Sequence, residues 1–334
     1  MNILLIGMNF YNYEVMIKEE LEEQGHTVDL MNDVPDNFTT VRRLCNQNFV
    51  DGYVKKFQKK LLKQRENENY DLVLVIVGRF LTTDFFETLK NRNKATRFVL
   101  YLWDDVARVE NFEAVKEYYD AVFSFDPIDC KNEGFKFLPL FYTDEFMPDN
   151  RSKKYDIYSA VSEHSDRIHI IKQIITQNEN KKLLFFINMG RYGYMKWKIN
   201  KFLKKQSDIP EMNYVPSPID KQANIEYMKD SVAILDIQFS TQKGLTIRTL
   251  ESLACKTKLI TTNQTIKLYD FYNPNNIYVL DRENPKMDWG FLDLPYCDNP
   301  QEIYEKYSLK EWTKTIIAER ENTFLMDGKS VADF

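Results

Sequence analysis

The sequence has few of the residues that build disulfide frameworks and metal centres. Its 334 residues include four cysteines and three histidines. No two cysteines form a CxxC pair, so neither a zinc module nor a disulfide scaffold is expected. Isolated cysteines favour a reducing compartment such as the cytoplasm. The four are Cys45, Cys130, Cys255 and Cys297.

Long apolar runs and a strong excess of one charge are also missing. No run approaches the roughly 20 apolar residues of a membrane-spanning helix. The opening segment MNILLIGMNF is short and lacks a basic leader, which predicts a first strand and not a signal peptide. A formal net charge of -5, from 45 basic and 50 acidic residues, argues against a surface built for nucleic acid. We therefore expect a cytoplasmic protein without a nucleic-acid partner.

Glycine is scarce where a dinucleotide-binding fold would need it. The first turn, IGMNFYNY, contains one glycine and no GxGxxG pattern. That pattern provides a tight turn and a close backbone approach to a pyrophosphate. Its absence argues against a dinucleotide cofactor in the first half of the chain.

The sequence does contain a regular alternation of short apolar runs with longer segments of helical periodicity. Short apolar runs predict buried parallel strands, and parallel neighbours need crossover helices. The alternation therefore predicts an α/β fold with a doubly wound sheet in each half. In the first half the predicted strands are Ile3–Ile6, Thr27–Leu30, Leu72–Val77, Phe98–Leu102, Ala121–Phe125 and Phe135–Leu138. In the second half they are Asp156–Val161, Leu183–Ile187, Met212–Val215, Val232–Ile237, Lys258–Thr262 and Ile277–Leu280.

A charged, proline-containing stretch near the middle predicts a linker between two domains. We expect two Rossmann-like doubly wound domains that face each other across a cleft. Ligands of such sheets bind beyond the carboxyl ends of the strands, so the loops after strands are the places to search. The predicted parts are an N-terminal domain (1–143), a linker (144–154), a C-terminal domain (155–307), a helix that packs back on the N-terminal domain (308–320) and a disordered or non-native tail (321–334).

One such loop precedes Gly244–Ala254, which has the pattern of a helix. Gly244 near the predicted helix start allows close backbone approach, and the free N–H groups there favour a phosphate. Arg248 lies one turn in and can bind a diphosphate with its forked guanidinium. Glu251 falls on the same face and can accept hydrogen bonds from two ribose hydroxyls. The alternative is a surface ion pair between Arg248 and Glu251 on an amphipathic helix.

A second loop follows the predicted strand in YDIYSAVSEHSDR. Hydroxyls and backbone N–H groups at a strand-to-helix turn can hold a phosphate, and Arg167 would add charge. The alternative is plain capping of the next helix by Ser165 or Asp166. The candidate phosphate-binding residues of this loop are Ser162, Glu163, His164 and Arg167.

In the first half, VLYLWDDVARVE places three candidate residues at the carboxyl end of a predicted strand. Asp104 or Asp105 can act as a general base, and Trp103 can stack on a sugar ring. The alternative is that one of the two aspartates caps the next helix. Arg79 and Asp126 also follow strands and are secondary candidates for binding an acceptor.

The segment 42–65 combines apolar residues at helical spacing with many lysines and arginines. A basic amphipathic helix can lie against an anionic membrane surface. The alternative is that its apolar face packs on the sheet while its lysines stay in water.

Taken together, these motifs resemble a known family. The double α/β pattern, GLTIRTLESLACKTKLITTN and IKLYDFYNPNNIYVLD are similar to the GT-B glycosyltransferases of the CgeB-like group, found in bacterial capsule and lipopolysaccharide gene clusters. LYLWDD, FSFDPIDCKNEGFKFLPLFY and YDIYSAVSEHSDR fit the same group. The resemblance extends from Met1 to about Ile317.

The resemblance implies that the C-terminal domain binds a nucleotide-sugar, commonly UDP-linked, and the N-terminal domain binds the acceptor. It implies no cofactor and no obligatory metal. Arg248 would bind the diphosphate and Glu251 the ribose, while the loop 162–167 would face the same phosphates. The residues implied to line the donor pocket are Gln242, Gly244 and Thr246.

Two features depart from the family pattern. The loop SAVSEHSDR lacks the glycine that this place often carries. Lys243 stands eight positions before Glu251, where many retaining GT-B enzymes have a second glutamate. The stereochemistry stays open, although a side-chain base such as Asp104 suits inversion.

The leading hypothesis is a metal-independent hexosyltransferase that moves a sugar from a nucleotide-sugar to a hydroxyl of a surface glycan, free or lipid-linked. The acceptor would belong to a capsule, an exopolysaccharide or a lipopolysaccharide. Asp104, slightly preferred over Asp105, would deprotonate it. The enzyme would be cytoplasmic, with a peripheral contact to the inner membrane surface. The alternatives are a nucleotide-sugar epimerase, which needs no acceptor, and a non-catalytic protein that binds nucleotide-sugar or scaffolds glycan assembly.

Overall fold

The chain divides into two compact units. The computed structural model describes residues 1–7, 12–178, 180–203, 209–320 and 323–334, so residues 8–11 of the glycine-poor first turn lie outside the described part. The domain limits drawn from the sequence stay a prediction. The first unit consists of Met1–Pro139, Leu309–Thr323 and Ser330–Phe334, and the second of Leu140–Ser308 and Phe324–Lys329.

The first unit is built on a six-stranded sheet. Its strands are β1 (Asn2–Gly7), β2 (Thr27–Asn32), β3 (Leu72–Ile76), β4 (Arg97–Leu102), β5 (Ala121–Ser124) and β6 (Lys136–Phe137). Their order across the sheet is β2-β1-β3-β4-β5-β6, and all neighbours are parallel. The order reverses at β1, as in a doubly wound sheet.

The second unit repeats this plan. Its strands are β7 (Tyr155–Ser162), β8 (Leu183–Asn188), β9 (Met212–Val215), β10 (Ser231–Asp236), β11 (Lys258–Thr261) and β12 (Ile277–Val279). The order is β12-β11-β10-β7-β8-β9, again with parallel neighbours. The predicted α/β class with a doubly wound sheet in each half is therefore confirmed.

Helices connect the strands, as parallel neighbours require. In the first unit they are α1 (Tyr13–Glu23), α2 (Phe38–Leu44), α3 (Gln47–Gln64), α4 (Thr83–Arg92), α5 (Phe112–Val115), α6 (Pro127–Glu133) and α12 (Leu309–Ala318). In the second unit they are α7 (Arg167–Thr176), α8 (Gly190–Phe202), α9 (Lys221–Lys229), α10 (Ile247–Ala254) and α11 (Gln301–Lys306).

The central strands of the two sheets are covered on both faces. In β1, the four side chains from Ile3 to Ile6 are fully buried, and in the second unit so are Ile157, Phe185 and Leu235. Strands that are buried on both faces read as continuous apolar runs, which is why the sequence predicted them well. Each fully buried Ile, Leu or Phe contributes roughly 1.5–3 kcal/mol to folding.

The basic segment 42–65 forms two helices, α2 and α3. The Asn46 side chain accepts a hydrogen bond from Phe49 N–H (3.0 Å) and starts α3. Val50, Val54 and Leu62 of α3 are buried, whereas Phe49 in its first turn is 57% exposed. This burial favours the packing alternative over the membrane alternative for α3. Within the described residues, no helix combines the length and apolar character that crossing a bilayer requires.

The predicted linker packs on the second unit. Arg151 Nη1 donates hydrogen bonds to Glu226 (2.6 Å) and Asp230 (3.3 Å). Lys154 Nζ donates to Asp230 as well (2.7 Å). The segment is therefore anchored by charge and is not a free connection.

The C-terminal part of the chain contributes to both units. In the first unit, the Trp312 ring of α12 lies 4.7 Å from the Tyr101 ring. In the tail, Phe324 and Leu325 are buried and belong to the second unit. Residues 321 and 322 lie outside the described part of the chain.

Candidate active site

Strand β10 ends at Asp236, whose carboxylate organises the loop that follows. Thr246 Oγ1 donates a hydrogen bond to Asp236 Oδ2 (2.6 Å) and accepts one from Thr249 N–H (3.4 Å). Thr246 is thus the N-cap of α10. The predicted helix start at Gly244 is wrong, because this cap places the first helical residue at Ile247.

Arg248 and Glu251 lie one turn apart on α10. Arg248 Nη1 is 3.8 Å from Asp236 Oδ1, and the Arg248 side chain is 23% exposed. Glu251 is only 5% exposed, so the alternative of a surface ion pair is wrong. The buried Nε of Arg248 has no hydrogen-bond partner among the described residues. Arg248 therefore keeps one donor that a ligand can use.

Arg167, at the start of α7, joins the loops that follow β7 and β10. Its Nε donates to the Ile237 carbonyl (2.6 Å) and its Nη1 donates to His164 Nε2 (2.6 Å). The His164 ring stacks on Phe239, with centroids 4.3 Å apart and planes within 6°. The Arg167 guanidinium lies 5.4 Å from the centroid of the same phenyl ring. His164 is therefore held in place by the hydrogen bond that it accepts from Arg167 and by stacking on Phe239.

The surroundings of Arg167 lower its pKa to about 10. Burial is the main cause, and the nearby charges of Arg248 and Arg282 act in the same direction. Asp236 opposes the shift. Positive charge is therefore crowded at this end of the sheet, and an anion bound there would relieve the repulsion.

Arg282, which follows β12, completes the cluster and was missed by the sequence reasoning. Its guanidinium donates two hydrogen bonds to the Asp166 carboxylate (2.8 and 2.6 Å) and one to the Gln238 carbonyl (3.0 Å). Asp166 occupies the N-cap position of α7, as the capping alternative held, but its carboxylate bonds Arg282 and makes no side-chain cap bond. A search of every loop after a predicted strand could have found Arg282, because it follows the last predicted strand.

The other predicted donor residues do not all converge on this cluster. Gln242 Nε2 and Asn263 Nδ2 both donate to the Gly244 carbonyl (3.0 and 3.4 Å), which fixes the loop before α10. Ser162 and Glu163 are exposed at the end of β7. Their side chains take no part in the hydrogen bonds that the described residues form with Arg167, Arg248 and Arg282.

In the first unit, the carboxyl ends of the strands carry mainly acidic side chains. Arg79 forms an ion pair with Asp104 through Nη2. Its buried Nε has no hydrogen-bond partner among the described residues. Asp33, after β2, is fully buried, and this burial raises its pKa to about 7 although the Arg79 charge opposes the shift.

Three further carboxylates lie near α6. Burial raises the pKa of Asp105, and the negative charge of Asp126 adds to the effect. Burial is also the main cause that raises the pKa of Asp129 to about 6. Asp126 caps α6 by accepting a hydrogen bond from Ile128 N–H (2.8 Å). Asp105 makes no such cap bond to the turn that follows it, so the capping alternative is wrong for Asp105.

Trp103 is partly buried beside two tyrosines. Its ring lies 5.3 Å from Tyr13 and 6.2 Å from Tyr101. Among the described residues, no group of three or more histidines, cysteines and acidic residues is placed to hold a metal ion.

Comparison with known proteins adds fold-level evidence. No protein-family model matches the sequence, and no curated protein is a significant match. The narrower resemblance to the CgeB-like group therefore stays a prediction.

Several solved structures match almost the whole chain at low identity. The Anabaena protein Alr3699/HepE in complex with UDP and glucose is 9% identical, covers 96% of this chain and 98% of its own, and has a TM-score of 0.60. AviGT4, a glycosyltransferase involved in avilamycin A biosynthesis, is 10% identical over 96% and 99%, with a TM-score of 0.58. UDP-GlcNAc 2-epimerase from Methanocaldococcus jannaschii is 11% identical over 95% and 98%, with a TM-score of 0.53. At such identities the likeness concerns the fold, and the chain has the two-domain Rossmann-like GT-B fold.

Proposed function

We propose that this protein is a glycosyltransferase that moves a sugar from a UDP-linked donor to a hydroxyl of a cell-surface glycan. The observation that carries the proposal is Arg248, whose buried Nε is unpartnered among the described residues. It lies in the first turn of α10, near Arg167 and Arg282. A GT-B fold with such a cluster in its second unit suits a nucleotide diphosphate.

The diphosphate would be bound by charge and by helix geometry together. Arg248 supplies a forked donor, and the free N–H groups at the start of α10 supply partial positive charge. As the glycosidic bond breaks, negative charge develops on the leaving diphosphate. Guanidinium groups already in place stabilise that charge without reorganisation. Because they supply the positive charge, no obligatory metal is proposed.

The rest of the donor would occupy the loops around this cluster. Glu251 is buried on the same helix as Arg248 and is assigned to the ribose hydroxyls. His164 is held beside Arg167 and is assigned to the phosphates. The exposed Ser162 and Glu163 are assigned to the outer part of the donor. The proposed pocket lining consists of Gln242, Gly244 and Thr246.

The first unit is assigned the acceptor. Trp103, Arg79 and Asp126 are proposed to bind it, and one of the Asp104–Asp105 pair to deprotonate it. Arg79 pairs with Asp104 and Arg108 lies 3.6 Å from Asp105, but burial raises the pKa of Asp105, which makes Asp105 the stronger base. The acceptor oxygen would attack the anomeric carbon while the carboxylate takes the proton and the diphosphate leaves with the bonding electrons.

The acceptor is proposed to be a capsule, exopolysaccharide or lipopolysaccharide glycan, free or lipid-linked. This narrower assignment is supported by the motifs that resemble the CgeB-like group. Nucleotide-sugars and a chain of unpaired cysteines both suit the cytoplasm, where we place the reaction.

The proposal is tested with a panel of UDP, GDP, CMP and ADP, each with and without magnesium, followed by transfer assays with UDP-sugars. We expect thermal stabilisation by one nucleoside diphosphate without magnesium, and its loss in Arg248→Ala. Lys172→Ala, which removes an exposed lysine of α7, is the matched control. An unchanged response in Arg248→Ala would contradict the proposed donor site.

One alternative is supported by a specific observation. The fold also resembles a UDP-GlcNAc 2-epimerase, whose reaction needs no acceptor. Conversion of a UDP-sugar to its epimer in the absence of acceptor would favour that function. Donor binding without transfer or conversion, and without effect of Asp104 or Asp105 substitution, would favour a non-catalytic scaffold.

A further inference from the structure

Helix α8 in the second unit presents an apolar face to solvent. None of its thirteen residues, all of which the structure describes, is buried. By contrast, α7 in the same unit buries Ile170, Ile171 and Ile174. The exposed apolar side chains are Tyr192 (84%), Met195 (56%), Ile199 (56%), Phe202 (86%) and the adjoining Leu203 (51%).

These five side chains form one stripe along the helix. With 3.6 residues per turn, their positions fall within an arc of roughly 100°. The opposite side faces the sheet, where the Trp197 ring lies 4.8 Å from Tyr214 of β9. The stripe is thus the outer face of a helix whose inner face is already packed.

Basic residues flank the stripe on both edges. By the same helical geometry, Arg191 and Lys198 lie along one edge and Lys196 lies along the other. All three are exposed. The segment 190–203 contains no aspartate or glutamate, in a chain whose formal net charge is -5. This helix is therefore basic within a chain that is acidic overall.

We propose that the stripe and its basic edges form a docking surface for an anionic lipid bilayer. An apolar stripe with lysines beside it suits the boundary between acyl chains and headgroups, since the lysine stems extend along the apolar zone while their ammonium groups reach lipid phosphates. A second copy of this chain fits poorly, because two such faces would bring like charges together. The surface lies apart from the donor cluster in sequence and does not depend on the proposed transferase function.

Helix α3, which has a similar composition, provides the matched control. It is also rich in lysine, but its apolar side chains Val50, Val54 and Leu62 are buried. Lys56 and Lys60 of α3 are exposed like Lys196 and Lys198. Reversing charge on α3 therefore changes the net charge of the protein equally without touching the stripe.

The test is co-flotation of the full chain with vesicles of phosphatidylglycerol and phosphatidylcholine, against vesicles of phosphatidylcholine alone. We expect binding to the anionic vesicles, at least about tenfold weaker in Lys196→Glu/Lys198→Glu. Tyr192→Ser/Phe202→Ser should weaken binding by a similar factor. Both pairs are exposed, so melting temperature and any nucleotide-induced stabilisation should stay unchanged. Lys56→Glu/Lys60→Glu should bind like the wild type.

Several results would overturn the proposal. They are no binding to anionic vesicles, equal binding to neutral vesicles, and an equal loss in the α3 variant. A dimer of the wild type that becomes monomeric in Tyr192→Ser/Phe202→Ser would instead identify the stripe as an interface between copies. None of these outcomes depends on whether the protein binds a nucleotide.

Discussion

The two sheets share one topology, but different charged side chains cluster at the carboxyl ends of their strands. In the first unit the charged side chains there are mainly Asp33, Asp104, Asp105, Asp126 and Asp129, with Arg79 among them. In the second unit they are Arg167, Arg248 and Arg282, with Asp166 and Asp236 between them. The strand framework is therefore the constant part, and the loop residues set the chemistry.

The electrostatic consequences differ as well. Burial, and to a smaller extent the neighbouring carboxylates, raise the pKa values of Asp105 and Asp129, so the first unit favours taking up a proton. Burial, and to a smaller extent the charges of Arg248 and Arg282, lower the pKa of Arg167, so the second unit favours binding an anion. A reaction that removes a proton from one substrate and an anionic leaving group from another needs both environments.

The largest expected effect is in the acidic unit. Replacing Asp105 with asparagine removes the proposed base and should lower kcat by about 10²–10⁴-fold. Asp104→Asn should have a smaller effect, since the Asp104 charge is already neutralised by Arg79. The kinetics of sugar transfer should distinguish the two variants, and nucleotide binding should be unchanged in both. Equal kcat values for Asp105→Asn and the wild type would remove Asp105 from the mechanism.

Two buried aspartates at strand ends sharpen the comparison. Asp236 is bonded to Thr246 and lies near Arg248, whereas the pKa of Asp33 is raised to about 7 by burial. A raised folded-state pKa means that the folded protein holds a proton which the unfolded chain releases. Stability contributed by that proton is present below about pH 4 and is lost as the pH rises towards 7.

The substitution Asp33→Asn should remove this loss of stability at higher pH. We expect little change in unfolding free energy at pH 4 and a gain at pH 8 of a few kcal/mol at most, since one pKa unit corresponds to about 1.4 kcal/mol. Urea denaturation of the variant and the wild type at the two pH values measures this difference in unfolding free energy. Parallel pH profiles for variant and wild type would show that Asp33 is not held protonated.

The smallest expected effect is at the edge of the basic cluster. Arg282→Ala removes a positive charge but leaves Arg248 in place, so donor affinity should fall by about tenfold, the equivalent of 1.4 kcal/mol. Asp166→Asn removes the partner of Arg282 and keeps its charge, so it should weaken binding less. Titration of UDP into each variant gives the ranking. A reversed ranking would mean that Arg282 orients Asp166 and does not attract the donor.

Sequence patterns predicted the framework better than the site. The twelve strands in the described part of the chain were all predicted, the central ones because strands buried on both faces read as apolar runs. The same rule, which searches the loops after strands, selected Arg248 and Arg167, whose role at a donor site stays a prediction. It did not indicate that Arg282 pairs with Asp166, because those residues are 116 positions apart and meet only through the folded sheet.

Helix ends and helix faces were harder to predict. The cap at Thr246 depends on a bond to Asp236, which no local pattern reveals. The basic periodicity of α3 suggested a membrane surface, yet Val50, Val54 and Leu62 of α3 are buried, whereas no residue of α8 is. Periodicity shows that a helix has an apolar side, and only the tertiary structure shows what covers it.

The central claim is that Arg248 binds a nucleoside diphosphate at the start of α10. Calorimetric titration of UDP into the wild type, Arg248→Ala, Arg248→Lys and the control Lys172→Ala tests it most directly. We predict at least about 30-fold weaker binding in Arg248→Ala, partial recovery in Arg248→Lys because lysine keeps the charge without the fork, and wild-type affinity in Lys172→Ala. Equal affinity of Arg248→Ala and the wild type, or no binding of any nucleoside diphosphate to the wild type, would contradict the account.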